Sequence, residues 1–295
     1  MCVRLQRMDY WSLKMNLRPC TERVFLLGAM RSGTTSLYHY LAEHPDIFPS
    51  PLKEPRFFCM PSPAPSDIRD YESLYAGQTR ERWSFEASTH YTRYPTHRGV
   101  PERIRAAFPE ARFIYIVRHP VERIASAYLH WRAHGRERRP FEDAVFSEPS
   151  DYLNMSRYHM QLEQYWRVFP RNRILVLVFE SFIKDTVGTV KLICEFLDVD
   201  PTFESPTLGR RFNESASDTE PGTVLTLLRR AKLHERMPWR VRSWANATLR
   251  RSLPERASLV SASVRGGILE RLEDDLTELK GVLGDRLAAW DLSRP

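Results

Sequence analysis

Cysteine is scarce and unpaired in this sequence. The four thiols among 295 residues, Cys2, Cys20, Cys59 and Cys194, lie far apart and form no CxxC pair. Such spacing provides neither a zinc-ligand set nor a disulfide framework, so the thiols read as reduced and no metal is expected. Long apolar runs are missing as well. Arg4, Arg7, Asp9, Lys14, Arg18 and Glu22 interrupt any stretch of residues 1–22 that could serve as a signal peptide or membrane span, which predicts a cytoplasmic chain with no membrane anchor. Helix-turn-helix spacing, zinc-finger spacing and a basic aromatic ribonucleoprotein motif are all lacking, so no nucleic-acid partner is expected. The balance of 44 Lys and Arg against 37 acidic residues, a formal +7, then points to small anionic ligands. No repeat or low-complexity block stands out, and no feature bears on oligomeric state.

What the sequence does contain is a succession of apolar strands, each followed by a helical pattern. Val24 to Leu27 is a short apolar run closing on Gly28, and after a Gly/Ser/Thr turn the pattern becomes helical from about Ser36 to Glu43. RFIYIV at Arg112 to Val117 is followed by Arg118, His119, Pro120 and the helical run VERIASAYLHWR, with Pro120 suited to a first turn. Trp83 to Ala87 precedes a helix beginning near Pro101, and RILVLVF at Arg173 to Phe179 precedes a helix of about Thr186 to Leu197. This alternation predicts an α/β chain, a three-layer P-loop-like fold with a central parallel sheet flanked by helices. Pro61 to Ser66 reads as a Pro-rich loop, and extra helices are expected around Phe141 to Phe146 and Ser156 to Phe169. Amphipathic helices at Thr223 to Arg230 and Leu269 to Leu283, on either side of an Arg-rich stretch with Trp239 and Trp244, predict a helical C-terminal portion. With 42% hydrophobic residues the chain can bury a sizeable core, and 1–295 reads as a single domain.

GAMRSGTT, Gly28 to Thr35, sits between the first strand and the first helix, where backbone N–H groups and the helix N-terminal partial charge converge on an anion. Gly28 and Gly33 have the spacing of a Walker loop, GxxxxGK[ST], but Thr34 occupies the lysine position. Triphosphate chemistry thereby loses the cation that neutralises the β and γ phosphates. Arg31 offers a planar fork of donors inside the loop, suited to a 5′ phosphate and a group transferred from it. The competing reading is a P-loop nucleotide kinase or NTPase with an unusual loop, which would also need a metal-binding acid, and no strand ends on an obvious Asp. Arg118 closes the strand RFIYIV, and Ser126 follows eight residues later, about two turns into the next helix. Taken singly, Arg118 reads as a surface cap and Ser126 as a helix residue bonded to its own backbone. Combined with the loop they read as a second anion site, because strand ends are where an open α/β sheet binds ligands.

On FLLGAMRSGTTSLYHYLAEHPDIF and RFIYIVRHPVERIASAYLHW the sequence resembles the sulfotransferase superfamily, in particular the branch of heparan sulfate and related bacterial carbohydrate sulfotransferases. The resemblance spans roughly Val24 to Leu197 and extends through SRYHMQLEQYWRVFP, RILVLVFESF and FLDV at Phe196 to Val199. It implies 3′-phosphoadenosine 5′-phosphosulfate (PAPS) as co-substrate without a metal. Arg31, Ser32, Gly33, Thr34, Thr35 and Ser36 would bind its 5′-phosphosulfate, and Arg118 and Ser126 its 3′ phosphate. Three departures stand out. Arg31 occupies a position where many carbohydrate sulfotransferases have Lys, and Ala87 one where some have another catalytic Lys. The family's late Lys-Gly-Arg element has no clean counterpart, with Arg210 and Arg211 as positional candidates.

Sulfuryl transfer needs the acceptor O–H or N–H deprotonated as the bond to sulfur forms, and cations to meet the charge on the leaving phosphate. LKEPRFF, Leu52 to Phe58, resembles the family segment in which a Glu followed by x-x-Phe-Phe supplies the base, which assigns that role to Glu54. By itself an acidic loop residue is ordinarily solvated, or paired here with Lys53 or Arg56. His90, in the turn after SFEAS, is the second candidate, since imidazole titrates near neutral pH and related cytosolic sulfotransferases use His. With Arg31 beside the transferred group, the implied activity is sulfuryl transfer from PAPS to a hydroxyl or amine of a small-molecule or carbohydrate acceptor, natural products included. Ala87 in place of lysine leaves open a nucleotide-binding module without turnover.

Overall fold

The computed structural model describes residues 22–210, 212, 219–222 and 233–293. Five parallel strands form one sheet: β1 (Glu22–Gly28), β2 (Ile47–Pro49), β3 (Trp83–Ala87), β4 (Arg112–Val117) and β5 (Ile174–Val178), in the order β2-β3-β1-β4-β5. Parallel pairing requires crossovers, and helices supply them. α1 (Thr34–Ala42) follows β1, α2 (Pro65–Ser73) follows β2 and α3 (Val100–Ala107) follows β3. Between β4 and β5 come α4 (Pro120–Ala133), α5 (Phe141–Phe146), α6 (Asp151–Asn154) and α7 (Tyr158–Trp166); α8 (Phe179–Lys184) and α9 (Thr186–Leu197) follow β5. The expected α/β fold, a central parallel sheet flanked by helices, is the one adopted.

Side-chain alternation along the strands produces the layers. Val24, Leu26, Ile114 and Ile116 face one side and join a core with Leu37 and Leu41 of α1 and Val190, Ile193 and Leu197 of α9. Phe25 and Phe113 alternate to the other side, where their rings stack at 5.7 Å and meet Phe58, Phe108, Tyr165 and Phe169. Burial on both faces is why β1 and β4 read as continuous apolar runs. Each buried Phe or Leu side chain contributes roughly 1.5–3 kcal/mol, so these layers hold the strand ends as a firm platform.

Several boundaries differ from the sequence reading. Pro65 and Ser66 open α2 instead of closing a Pro-rich loop: proline suits a first helical turn, and Asp67 accepts a bond from Ala64 N at 2.7 Å. The helix expected over Ser156 to Phe169 narrows to α7. The C-terminal portion is helical, with α10 (Leu233–Arg236), α11 (Trp239–Thr248), α12 (Arg256–Leu259), α13 (Ala262–Arg271) and α14 (Glu273–Leu283). The single helix expected over Leu269 to Leu283 is therefore two, broken at Leu272, whose φ of −108° and ψ of 1° leave the helical region. Asp275, in the first turn of α14, accepts bonds from the backbone N–H groups of His159 and Met160 at the start of α7. The strands β2, β6 (Thr219–Pro221) and β7 (Arg250–Ser252), the last two paired antiparallel, are too short to leave a period in the sequence. The helix expected over Thr223 to Arg230 lies outside the described residues. Among the described residues no helix is long and apolar enough to cross a membrane. The described residues divide into two compact units, 22–119 with 154–210, 212 and 272–291, and 120–153 with 219–222, 233–271 and 292–293. The sheet belongs to the first.

Candidate active site

Strands β3, β1 and β4 are neighbours in the sheet, and each delivers at its carboxyl end a segment expected to carry chemistry. β1 ends on Gly28, where φ is 142° and a Cβ would lie 2.7 Å from Thr92 Oγ1, so only glycine fits. Ala29 N then donates to Ile116 O at 2.7 Å, tying the loop to β4. Arg31 at φ 71° and Gly33 at φ 82° are both left-handed, and they turn the loop into α1, which starts without a side-chain cap. Ser32 between them is fully buried, and its hydroxyl has no hydrogen-bond partner among the described residues. A phosphate oxygen at an uncapped helix N-terminus is the kind of partner such a hydroxyl needs, so the loop fits the 5′-phosphosulfate. Thr34 and Thr35 occupy the first helical positions. The Ser36 hydroxyl holds the chain at Phe212, accepting from its N–H at 3.2 Å and donating to its carbonyl at 3.4 Å.

Arg118 leaves β4 and turns back on this loop. Its Nη1 donates to the Arg31 carbonyl at 2.8 Å, its guanidinium lies 4.7 Å from the Phe179 ring centroid, and its own carbonyl accepts from the Tyr158 hydroxyl at 2.7 Å. The phosphate loop and the proposed second anion residue thus form one assembly. Ser126 is a buried residue of α4, in the second compact unit.

Glu54 is carried to the end of β3 by an extension of the sheet. After β2, Ser50 N donates to Phe85 O at 2.8 Å and Glu54 N to Ala87 O at 2.9 Å. Phe57 and Phe58 anchor the following residues in the core, with Phe57 stacked on Tyr71 at 4.3 Å. The x-x-Phe-Phe pattern is therefore a pair of apolar pegs fixing where the carboxylate emerges. That carboxylate accepts from Thr89 N at 2.9 Å, Thr89 Oγ1 at 3.0 Å and His90 Nδ1 at 3.3 Å, with Lys53 Nζ at 3.5 Å. Burial alone would raise its pKa, but the bond to His90, the charges of Lys53 and His90 and the Thr89 hydroxyl outweigh it and hold the carboxyl below the ordinary Glu value. Glu54 is thus an ionised acceptor, four-fifths buried by side-chain area, and the two base candidates are in direct contact.

Residues 21–215 match the family model described as "Sulfotransferase domain". The chain belongs to the sulfotransferase domain family. It is 24% identical over 233 residues to the bifunctional heparan sulfate N-deacetylase/N-sulfotransferase 2 of Bos taurus, a match covering 72% of the chain and 26% of that protein. The chain thus spans about a quarter of the length of the curated relatives it first matches. Its fold superposes on a sulfotransferase from Alicyclobacillus acidocaldarius with a TM-score of 0.65 at 25% identity, over 91% of this chain and 98% of that one. A mouse sulfotransferase complexed with PAP shares the fold with a TM-score of 0.52 at 14% identity, over 94% of each chain.

Sequence reasoning passed over Thr89, which makes the shortest contacts to the Glu54 carboxylate, whereas the pairing of Glu54 with Lys53 weighed for a loop carboxylate is present at 3.5 Å. Thr89 directly follows SFEAS, yet its convergence on Glu54 spans 35 residues of chain and leaves no local pattern. Ala87 is fully buried, and its carbonyl holds Glu54 N. Arg210 presents its carbonyl to the Tyr40 hydroxyl at 2.7 Å and its guanidinium to the Phe212 ring at 5.5 Å. Arg211 lies outside the described residues.

Proposed function

We propose that the sulfotransferase moves a sulfuryl group from PAPS to a hydroxyl or amine of a small-molecule or carbohydrate acceptor, with residues 1–295 acting as a single domain. The observation that carries this reading is the meeting, at adjacent strand ends, of a lysine-free phosphate loop bridged by Arg118 with an ionised Glu54 carboxylate. Bound PAPS supplies the sulfuryl group and leaves as 3′-phosphoadenosine 5′-phosphate (PAP). The residues from Arg31 to Ser36 hold the 5′-phosphosulfate, Arg31 meets the charge that grows on the leaving phosphate, and Arg118 takes the 3′ phosphate. Glu54 takes the acceptor proton while the acceptor's freed electron pair forms the bond to sulfur. His90 holds the Glu54 carboxylate through Nδ1 and is the alternative base. The names of the heparan sulfate relatives favour a carbohydrate acceptor. Nucleic acid has no part in the scheme. Burial pushes the free thiols of Cys59 and Cys194 up to about 12 and about 11, which keeps them protonated and out of the chemistry.

Two measurements test the reading. Calorimetry is expected to show PAP bound more tightly than ATP; the reverse order would put the kinase or NTPase reading in its place. A screen of sugars, phenols and alcohols with radiolabelled PAPS is expected to yield a labelled product. PAP binding with no product in any class would favour a binding module, the outcome that Ala87 in place of the family lysine suggests.

A further inference from the structure

Strand β3 carries a second carboxylate, Glu86, that the reaction scheme does not use. Its side chain is fully buried and accepts three hydroxyl bonds, from Tyr71 at 2.9 Å, Ser88 at 3.0 Å and Tyr91 at 2.5 Å. Two of those hydroxyls are acceptors in turn. Arg56 N donates to Ser88 Oγ at 3.2 Å, and Phe58 N donates to the Tyr91 hydroxyl at 3.3 Å. One carboxylate therefore reaches, through two hydroxyls, two backbone N–H groups of the segment that presents Glu54. The same two residues, Ser88 and Tyr91, bracket Thr89 and His90, whose groups hold the Glu54 carboxylate.

We propose that Glu86 is a positioning residue that fixes Glu54 against Thr89 and His90 by setting the direction of the Ser88 and Tyr91 hydroxyls. A hydroxyl rotates freely until a partner fixes it; burial raises the Glu86 carboxyl above the ordinary Glu value, but the Tyr91, Tyr71 and Ser88 hydroxyls and the Arg23 charge oppose that shift and favour the ionised form, which only accepts. Once Ser88 and Tyr91 donate to Glu86, their lone pairs face the Arg56 and Phe58 N–H groups. The segment needs such support. Glu54 at φ 65° and Arg56 at φ 57° are left-handed without being glycine, a geometry that persists only where the surroundings over-determine it. The charged and titratable groups around Glu86 are Arg23, Tyr71, Tyr75, Tyr91 and Cys59, with the Arg23 guanidinium 3.7 Å from the Tyr75 ring centroid; those around Glu54 are Lys53 and His90.

The inference rests on Glu54 as the base of sulfuryl transfer, and its test separates the two claims. Glu86→Gln leaves the buried Arg23 without its facing charge, so Tyr91→Phe and Ser88→Ala, which keep Glu86, are made beside it. An isotope-edited NMR titration of the Glu54 carboxyl, assigned by its loss in Glu54→Gln, needs no acceptor. It is expected to move to higher pH in each variant, because the His90, Lys53 and Thr89 contacts that hold the carboxyl low are loosened. Turnover of PAPS with an acceptor found in the screen is expected to fall about tenfold or more with PAP affinity unchanged, as for a misplaced reacting group. In a Glu54→Gln background the same substitutions are expected to add no further loss. An unchanged Glu54 titration, or an equal loss in both backgrounds, makes Glu86 merely structural and overturns the proposal. If the parent turns over no acceptor, the sulfotransferase reading fails while the titration still decides the positioning role.

Discussion

At the scale of single residues, Glu54 and Arg118 do different work and predict different losses. Glutamine at position 54 keeps the size of the side chain and its acceptor oxygen but cannot take a proton. Glu54→Gln is therefore expected to bind PAP as the parent does and to lose on the order of 10²-fold or more in turnover. Because His90 donates to Glu54, His90→Gln is expected to lose less; a dead His90 variant beside a normal Glu54 variant would transfer the role of base to His90. The pH dependence has a definite sign. The folded-state pKa of Glu54 is depressed, so the carboxylate contributes stability above its unfolded value, and that contribution is lost as pH falls through the folded one. The acidic limb of turnover is expected below the ordinary Glu value for the same reason, which a pH–rate profile checks. Arg118→Ala removes a guanidinium that also braces the Arg31 carbonyl, so PAP affinity is expected to fall by roughly 2 kcal/mol or more in calorimetry, as for a charge-assisted contact.

At the scale of elements, the turn from β1 into α1 depends on Gly33. Its φ is 82°, and a Cβ would sit 3.1 Å from the Phe179 and Phe182 rings. Gly33→Ala is expected to lower both the melting temperature and PAP affinity, since the left-handed backbone alone costs about 1–2 kcal/mol for a residue with a Cβ. Gly281, inside α14 with nothing within 4 Å of its would-be Cβ, gives the opposite control. Gly281→Ala is expected to raise stability by about 0.5–1 kcal/mol in denaturant melts. Those two glycines look alike as letters, which marks where sequence reading stops. The strands β1, β3, β4 and β5 were legible because burial on both faces writes a continuous apolar run. β2 was not, because three residues carry no period, and α2 was hidden because prolines that begin a helix resemble prolines that fill a loop. For the site, motif spacing and strand-end placement singled out the phosphate loop and Arg118, while Glu54 and His90 came from the family resemblance. The bonds joining Glu54 to Thr89 and His90 are tertiary contacts across 35 and 36 residues, and no local pattern encodes them.

At the scale of the whole molecule, the excess of positive charge and its placement at the strand ends bear on whether catalysis needs a metal ion. The chain carries a formal +7, and Arg31, Lys53 and Arg118 lie on the segments that follow β1, β2 and β4, Arg118 bonded to the Arg31 carbonyl and Lys53 paired with Glu54. A sulfuryl group carries less negative charge than a phosphoryl group, so its transfer asks less of a cation, and fixed guanidinium and backbone donors can meet the charge that develops on the departing phosphate. A kinase-like site instead relies on divalent ions bridging the β and γ oxygens, with a loop lysine beside them, and here that lysine position is Thr34. Turnover of labelled PAPS is therefore expected to continue undiminished in excess chelator. Because the attraction for a multiply charged nucleotide comes from partly exposed side chains, PAP affinity is expected to weaken steadily as ionic strength rises past the range where the screening length falls below about 10 Å. The two results are to be read together. Activity that disappears in chelator and returns with magnesium would show that a divalent ion supplies the charge assigned here to Arg31, and would move the chemistry of this loop towards that of the nucleotide triphosphate enzymes. Activity indifferent to chelator but sensitive to salt and to Arg31→Ala would place that charge on the protein's own side chains.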